Sequence, residues 1–213
     1  MVVSEIWRYP VKSMGGEPLE RAEIRSDGVA GDRMVHVRDR HGRVITARSQ
    51  PALLAHRGTL GREGLPLVDG RPWNSSDVAR DVEKAAGAGA HLIRDEGLER
   101  FDILPLLVAT DGAIGVFGHD RRRLRYNLLI AGVSGLGERT WEGKRLRIGK
   151  VVVGLEDLRE RCVMTTFDPD TQAQDVEVLR KIRRDFGGRL ALNARVLEVG
   201  TVELGQSVEL LGA

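Results

Sequence analysis

The stretch Arg145-Leu146-Arg147-Ile148-Gly149-Lys150-Val151-Val152-Val153 reads as two strands around a glycine turn. Aliphatic residues alternate with arginine before Gly149, valines cluster after it, and a residue without a Cβ suits a tight reversal. The same texture recurs in both directions. Upstream it fills residues 2–7, 19–24, 34–37, 44–46, 104–109 and 128–131, and downstream residues 163–166, 194–197 and 208–211. His41-Gly42 reads as another hairpin tip, and a further hairpin is expected around Gly200, where the chain returns toward Leu204.

Helical signals are fewer. Residues 175–186 place Val178, Leu179 and Ile182 on one face, and Gly187-Gly188 stops the pattern. Ser76-Asp77-Val78 opens an alanine-rich helix. Shorter helices are expected from Ser49-Gln50-Pro51 through Ala55 and after Thr110-Asp111. Many short strands with few helices predict a mainly β (α+β) fold based on a barrel, with short peripheral helices. Residues 61–71, rich in glycine, proline and charge, read as the least structured stretch, and a junction is expected at 95–99. A division near residue 95 would separate a smaller β-rich domain (1–95) from the main barrel domain (96–213).

Composition excludes several classes of function. The 213 residues carry a net charge of only +2, so no overall field draws nucleic acid or an acidic membrane. Any anion site has to be a local cluster. A single cysteine excludes an internal disulfide and a multi-cysteine zinc site. Glu5 interrupts the amino terminus before a signal-peptide core can develop, and no apolar run is long enough to span a bilayer, so a cytoplasmic location is expected. The glycine-bearing stretches around 87–89 and 132–137 lack dinucleotide-fingerprint spacing, and there is no P-loop or nucleophile elbow. The basic run Arg121-Arg122-Arg123 with Arg125 has no interleaved aromatics and reads as a solvated loop rather than a nucleic-acid surface.

The segment with most chemical content is Arg161-Cys162-Val163-Met164-Thr165-Thr166-Phe167-Asp168-Pro169-Asp170-Thr171. A guanidinium beside a thiol favours the thiolate, and thiolates are soft donors for transition metals. The bland alternative is a buried structural cysteine, against which Glu160 and Arg161 argue. This segment resembles the cysteine segment of MOSC domains, in particular the amidoxime-reducing branch. Further blocks resemble that family in the same order: Tyr9-Pro10-Val11-Lys12-Ser13 with Gly16, Gly31-Asp32-Arg33, Val44-Ile45-Thr46-Ala47-Arg48, Arg125-Tyr126-Asn127-Leu128, and Val196-Leu197-Glu198. Ordered agreement along nearly the whole chain is far more specific than any single piece.

The resemblance implies a MOSC β-barrel preceded by a smaller β-rich domain. It also implies a molybdenum cofactor whose metal is ligated by Cys162, with Arg161 beside it. Lys12, Ser13 and Arg33 would meet the cofactor's phosphate or pterin end, and Thr110, Arg125 and Asn127 would complete the cradle. Alone, Lys12, Arg33 and Arg125 would read as solvated surface, and Ser13 and Thr110 as a turn residue and an N-cap. The implied activity is molybdenum-dependent reduction of small N-hydroxylated compounds, such as amidoximes and hydroxylated bases, with electrons from a separate flavin or iron–sulfur reductase. The alternative is a freestanding cofactor or sulfur carrier using Cys162 as persulfide or anchor, with a cysteine desulfurase as partner; the chain has no room for a pyridoxal-phosphate domain. This chain departs from the family at Tyr126, where a motif proline is usual, at Asn193, where a tyrosine is frequent, and by a shorter stretch between Arg48 and Pro105.

Overall fold

The computed structural model describes residues 1–95, 97 and 100–212. The amino-terminal half carries strands β1 (Val2–Arg8), β2 (Glu17–Leu19), β3 (Arg21–Arg25), β4 (Gly28–Val29), β5 (Val35–Arg38), β6 (Val44–Ile45), β7 (Gly58–Leu60), β8 (Pro66–Val68) and β9 (Arg71–Pro72), then helix α1 (Ser76–Ala86) and β10 (His91–Arg94). Beyond it run β11 (Leu106–Thr110), α2 (Asp111–Phe117), β12 (Leu128–Ala131), β13 (Arg145–Ile148), β14 (Val151–Glu160), α3 (Val176–Phe186), β15 (Arg189–Glu198), β16 (Gly200–Glu203) and β17 (Val208–Leu211). The fold is mainly β.

Eight strands form the main sheet, in the order β17-β13-β14-β15-β11-β12-β1-β2. The hairpin expected at Gly149 forms its centre: β13 pairs antiparallel with β14, Ile148 opposite Val151, and Gly149 takes φ +59°. β13 alternates exposed arginine with buried Leu146 and Ile148, whereas the first five residues of β14 are all buried, because that strand lies between two neighbours under a covered face. The sheet curls until its ends approach. Val3 N–H donates to the Gln206 carbonyl at 3.0 Å, and the Val208 N–H donates to that of Met1 at 2.9 Å. The ladder is not closed into a full barrel, since β2 remains an edge. Val3, Ile6, Val108, Leu128, Leu146, Val153 and Leu192 fill the enclosed core.

Outside this core lie two more. Val11, Val35, Val37, Leu53, Val68, Val78 and Val82 hold β5, β8 and α1 together as the amino-terminal lobe. Phe117, Leu124, Tyr126, Val178, Ile182 and Phe186 seat α2 and α3 against the sheet. Helix α3 forms as its periodicity requires, capped by Asp175 and stopped by Gly187 in a left-handed conformation at φ +63°.

Several expectations are corrected. Residues 163–166 form a 3-10 helix rather than a strand, because the Thr165 and Thr166 hydroxyls donate to the carbonyls of Cys162 and Val163 at 2.9 and 2.7 Å. No hairpin forms at Gly200: β16 leaves β15 and pairs with β3, Gly200 opposite Ile24. The stretch 61–71 is not loose but contributes to the small sheet β7-β8-β9. The expected junction at 95–99 and the start of the second domain at 96 fall largely outside the described residues. In space, β1 and β2 share one sheet with the carboxy-terminal strands.

Candidate active site

A cleft lies between the amino-terminal lobe and the main sheet. Lys12, Ser13, Arg33 and Arg48 line it from one side, and Arg125, Asn127, Arg159, Arg161 and Cys162 from the other. It encloses about 770 Å³ of space, part of it open to solvent. Seven of the eight residues expected at the site are therefore together.

The clasp between the two sides is built on backbone. After β1 the chain runs Tyr9 to Ser13, and the Lys12 N–H donates to the Val35 carbonyl at 2.8 Å. The Arg33 N–H returns to the Tyr9 carbonyl at 2.8 Å. Ser13, Arg33 and Arg125 all adopt left-handed backbone, with φ of 71°, 54° and 56°. Non-glycine residues pay strain in this region, and such strain collects where the surrounding structure dictates a side chain's aim. Arg125 donates through Nη1 to the Met14 carbonyl at 2.7 Å, and its guanidinium lies 4.4 Å from the centre of the Tyr9 ring. Burial, aided by neighbouring Arg33, pushes its pKa down to about 10.

Beneath these cations lies Asp32, fully buried and not among the residues expected at the site. Its carboxylate accepts from the Tyr9 N–H at 2.6 Å and from Asn127 Nδ2 at 3.1 Å, and pairs with Arg33. Asn127 also donates to the Trp7 carbonyl at 3.3 Å and accepts from the Leu107 N–H at 3.1 Å. Both of its N–H donors are spent within the protein, so Asn127 acts as a strut of the cleft wall rather than as a free edge for a pterin.

Thr110 is placed elsewhere. It caps α2 by accepting from the Ala113 N–H at 3.2 Å and donates to buried Glu138 at 3.1 Å. The Asp111 carboxylate turns back onto the N–H groups of Gly112, Gly132 and Val133. The N-terminus of α2 is thus satisfied by its own acid, and Thr110, expected to complete the cradle, does not line the cleft. Asn193 does line it, held by a hydrogen bond from Nδ2 to Asp157 at 3.0 Å.

Cys162 stands where β14 ends. Its backbone is extended, at φ −119° and ψ −179°, and the 3-10 helix begins at the next residue, so the thiol is displayed at a turn and stays partly exposed. Arg161 is anchored by its N–H to the Gly188 carbonyl at 2.9 Å and by Nη2 to the Leu124 carbonyl at 2.7 Å. Burial lowers its pKa to about 10, opposed by the negative charge available on Cys162. Arg48 and Arg159 also feel that sulfur. Sequence reasoning passed over Arg159, near the end of β14, and Asp102, in the segment before β11, because single charges at such positions are indistinguishable from ordinary surface.

The cleft's charge suits an anionic ligand. Seven cations, Lys12, Arg33, Arg48, Arg123, Arg125, Arg159 and Arg161, face two carboxylates, Asp102 and Glu160. Nε of Arg123 and of Arg161 are buried with no protein partner, a costly state that an oxyanion would relieve. Among the described residues no cluster of three or more His, Cys, Asp or Glu could hold a bare metal ion. One thiolate within a cationic cradle instead fits a metal that arrives with its other ligands on an anionic cofactor. No helix among the described residues is long and apolar enough to cross a membrane.

The human mitochondrial amidoxime-reducing component 1 is 24% identical over 99% of this chain and 83% of its own length. Component 2 from Bos taurus is 25% identical over 85% of the chain and 72% of its own length. A molybdenum cofactor sulfurase from Bombyx mori is 37% identical over 39% of the chain and 10% of its own length. The crystal structure of the YuaD protein from Bacillus subtilis superposes with a TM-score of 0.51 at 14% identity, covering 100% of this chain and 97% of that one, and shares the fold. Residues 1–107 match the MOSC N-terminal beta barrel domain and residues 114–209 the MOSC domain. The chain thus belongs to the MOSC family, with both of its domains in family order.

Proposed function

We propose that this protein binds a molybdenum cofactor and reduces small N-hydroxylated compounds, with electrons from a separate flavin or iron–sulfur reductase. The observation that carries this reading is the convergence of Cys162 and Arg161 with Lys12, Arg33 and Arg125 on one cleft. The names of the amidoxime-reducing relatives support the reaction class by analogy. Lys12 and Arg33 would hold the phosphate end, Arg125 and Arg161 would neutralise charge deeper in the cleft, and Cys162 would be the protein's ligand to the metal. When bound, the cofactor supplies two-electron oxygen-atom chemistry. The N–O bond breaks, and two electrons and two protons yield the parent amine or amidine and water. The chain's own part is to fix the cofactor, exclude bulk water from one wall and present cations to the reacting centre.

The test is metal content. Wild type and Cys162→Ser, purified from a cofactor-making host, are assayed for molybdenum by mass spectrometry and for pterin by fluorescence after oxidation. Near-stoichiometric metal in wild type, with loss of metal or of its sulfur-ligand signature in the variant, is expected. Absence from both, even after incubation with free cofactor, would sink the reductase reading.

The similarity to a cofactor sulfurase favours one second reading, a carrier of cofactor or sulfur served by a cysteine desulfurase. Transfer of cofactor to an apo-enzyme without reductase activity would favour it.

A further inference from the structure

At the Cys162 end of the cleft there is more positive charge than the proposed cofactor contacts employ. Arg48 and Arg159 both direct Nη2 at one atom, Oδ2 of Asp102, the latter at 3.4 Å. Lys12 Nζ lies 2.8 Å from the other oxygen, Oδ1. One carboxylate therefore serves three cations. Among the described residues neither guanidinium has another carboxylate partner, and their side chains remain 41% and 18% exposed. Both sit within electrostatic reach of the Cys162 sulfur. A guanidinium offers five N–H donors in a planar fork, so each retains donors that Asp102 does not use. Asp102 itself displays the chemistry the pair accepts, an oxyanion shared between two forks.

We infer that Arg48 and Arg159 form an oxyanion subsite beside Cys162, and that the compound turned over there carries a carboxylate or phosphate group close to its reacting bond. The inference rests on the reading above in taking Cys162 as the mark of the reacting centre. Lys12, Arg33 and Arg125 are left to the cofactor, and Asp102 tunes the subsite by neutralising part of it. A neutral compound would leave Arg48 and Arg159 facing each other with one shared acid, whereas an anionic one completes the charge balance.

The test compares two alkylating reagents of similar size at Cys162 in the full chain made without cofactor: anionic iodoacetate and neutral iodoacetamide. Cys162 is the only cysteine, so mass spectrometry reads one site. The thiolate fraction is common to both reagents and cancels in the ratio of their rates. A focusing cation pair should raise that ratio about tenfold over the same chain unfolded in urea. Arg159→Met and Arg48→Met should each return the ratio toward the unfolded value, and Asp102→Asn should raise it. If one arginine variant fails to fold, the other variant together with the native-to-unfolded comparison in wild type carries the test. A native ratio equal to the unfolded one overturns the inference, as does an undiminished ratio in folded variants of both arginines, which would assign the attraction to Arg161. Protection by benzoate against phenyl phosphate distinguishes the two oxyanions, and protection by neither counts against the subsite. The measurement needs no molybdenum, so failure of the reductase reading would show in metal content and leave this result legible.

Discussion

The buried carboxylate of Asp32 accepts a hydrogen bond from the side-chain amide of Asn127 at 3.1 Å, across 95 positions of sequence. Through that contact the loop after β1, the turn at Arg33 and the start of β12 become one wall, and the cations of the cleft are aimed by it. The same carboxylate holds the Tyr9 N–H at 2.6 Å and pairs with Arg33.

Asp32→Ala removes all three contacts and leaves Arg33 without its carboxylate and one N–H of the Asn127 amide without its acceptor. Breaking a buried charged network in this way costs about 3–5 kcal/mol. A fall of roughly 6–20 °C in Tm is expected for a domain of this size, together with loss of bound cofactor. Calorimetry and metal analysis check both; an unchanged Tm would show that the network is not structural.

Arg125 gives the opposite signature. Among the described residues its buried guanidinium has no carboxylate as an ion-pair partner, and burial lowers its pKa to about 10. Arg125→Met keeps much of the volume and removes a buried charge, which is neutral or stabilising by up to a few kcal/mol, about 1–4 at most. Cofactor content should nevertheless fall. Thermal stability maintained or raised, with molybdenum lost, is the expected pair of results, and retention of full metal would remove Arg125 from the cradle.

Thr110→Ala tests the placement of that residue outside the cleft. Loss of the cap to Ala113 and of the bond to Glu138 should cost about 1–2 kcal/mol in urea unfolding. Metal content of the folded fraction should match wild type. A cofactor deficit without a stability loss would return Thr110 to the site.

Asp102 predicts an acid limb. Burial pushes its carboxyl upward, but the hydrogen bond from Lys12 and the charges of Lys12, Arg48 and Arg159 outweigh it, so its pKa lies below the ordinary 3.8. The folded state then binds this proton less tightly than the unfolded chain. The stabilisation is complete above pH 3.8 and is lost as pH falls through the lower folded value. Asp102→Asn should flatten that part of the stability-against-pH curve, measured by urea midpoints, and an identical slope in the variant would show that the carboxylate is not stabilised by its cations.

Gly112→Ala probes a close approach. A Cβ there would lie 2.3 Å from the Val133 carbonyl oxygen and 2.5 Å from that of Gly135, both backbone atoms with little room to yield. A loss of at least about 1–3 kcal/mol is expected from unfolding midpoints.

Local signals in the sequence were sufficient for the elements whose causes are local. The Gly149 hairpin, the stop of α3 at Gly187 and the short helix after Thr110 each follow from residues within a few positions, through turn geometry and capping. That Arg161 and Cys162 line the cleft side by side was likewise visible, since they are adjacent in the chain. Where local rules competed, the sequence was silent: the apolar pair of 163–166 suits a strand, but two threonine hydroxyls turn the backbone into a 3-10 helix. Only the tertiary structure decided what depends on distant pairing. It set β16 against β3 rather than β15, turned Thr110 away from the cleft and spent the donors of Asn127 on Asp32 and Trp7. It also gathered Lys12, Arg48, Asp102 and Arg159 around one thiol. The physical reason is that sheet ladders and buried ion pairs join residues whose separation along the chain carries no trace of their contact, and a charge in a loop reads the same whether water or an active-site cleft receives it.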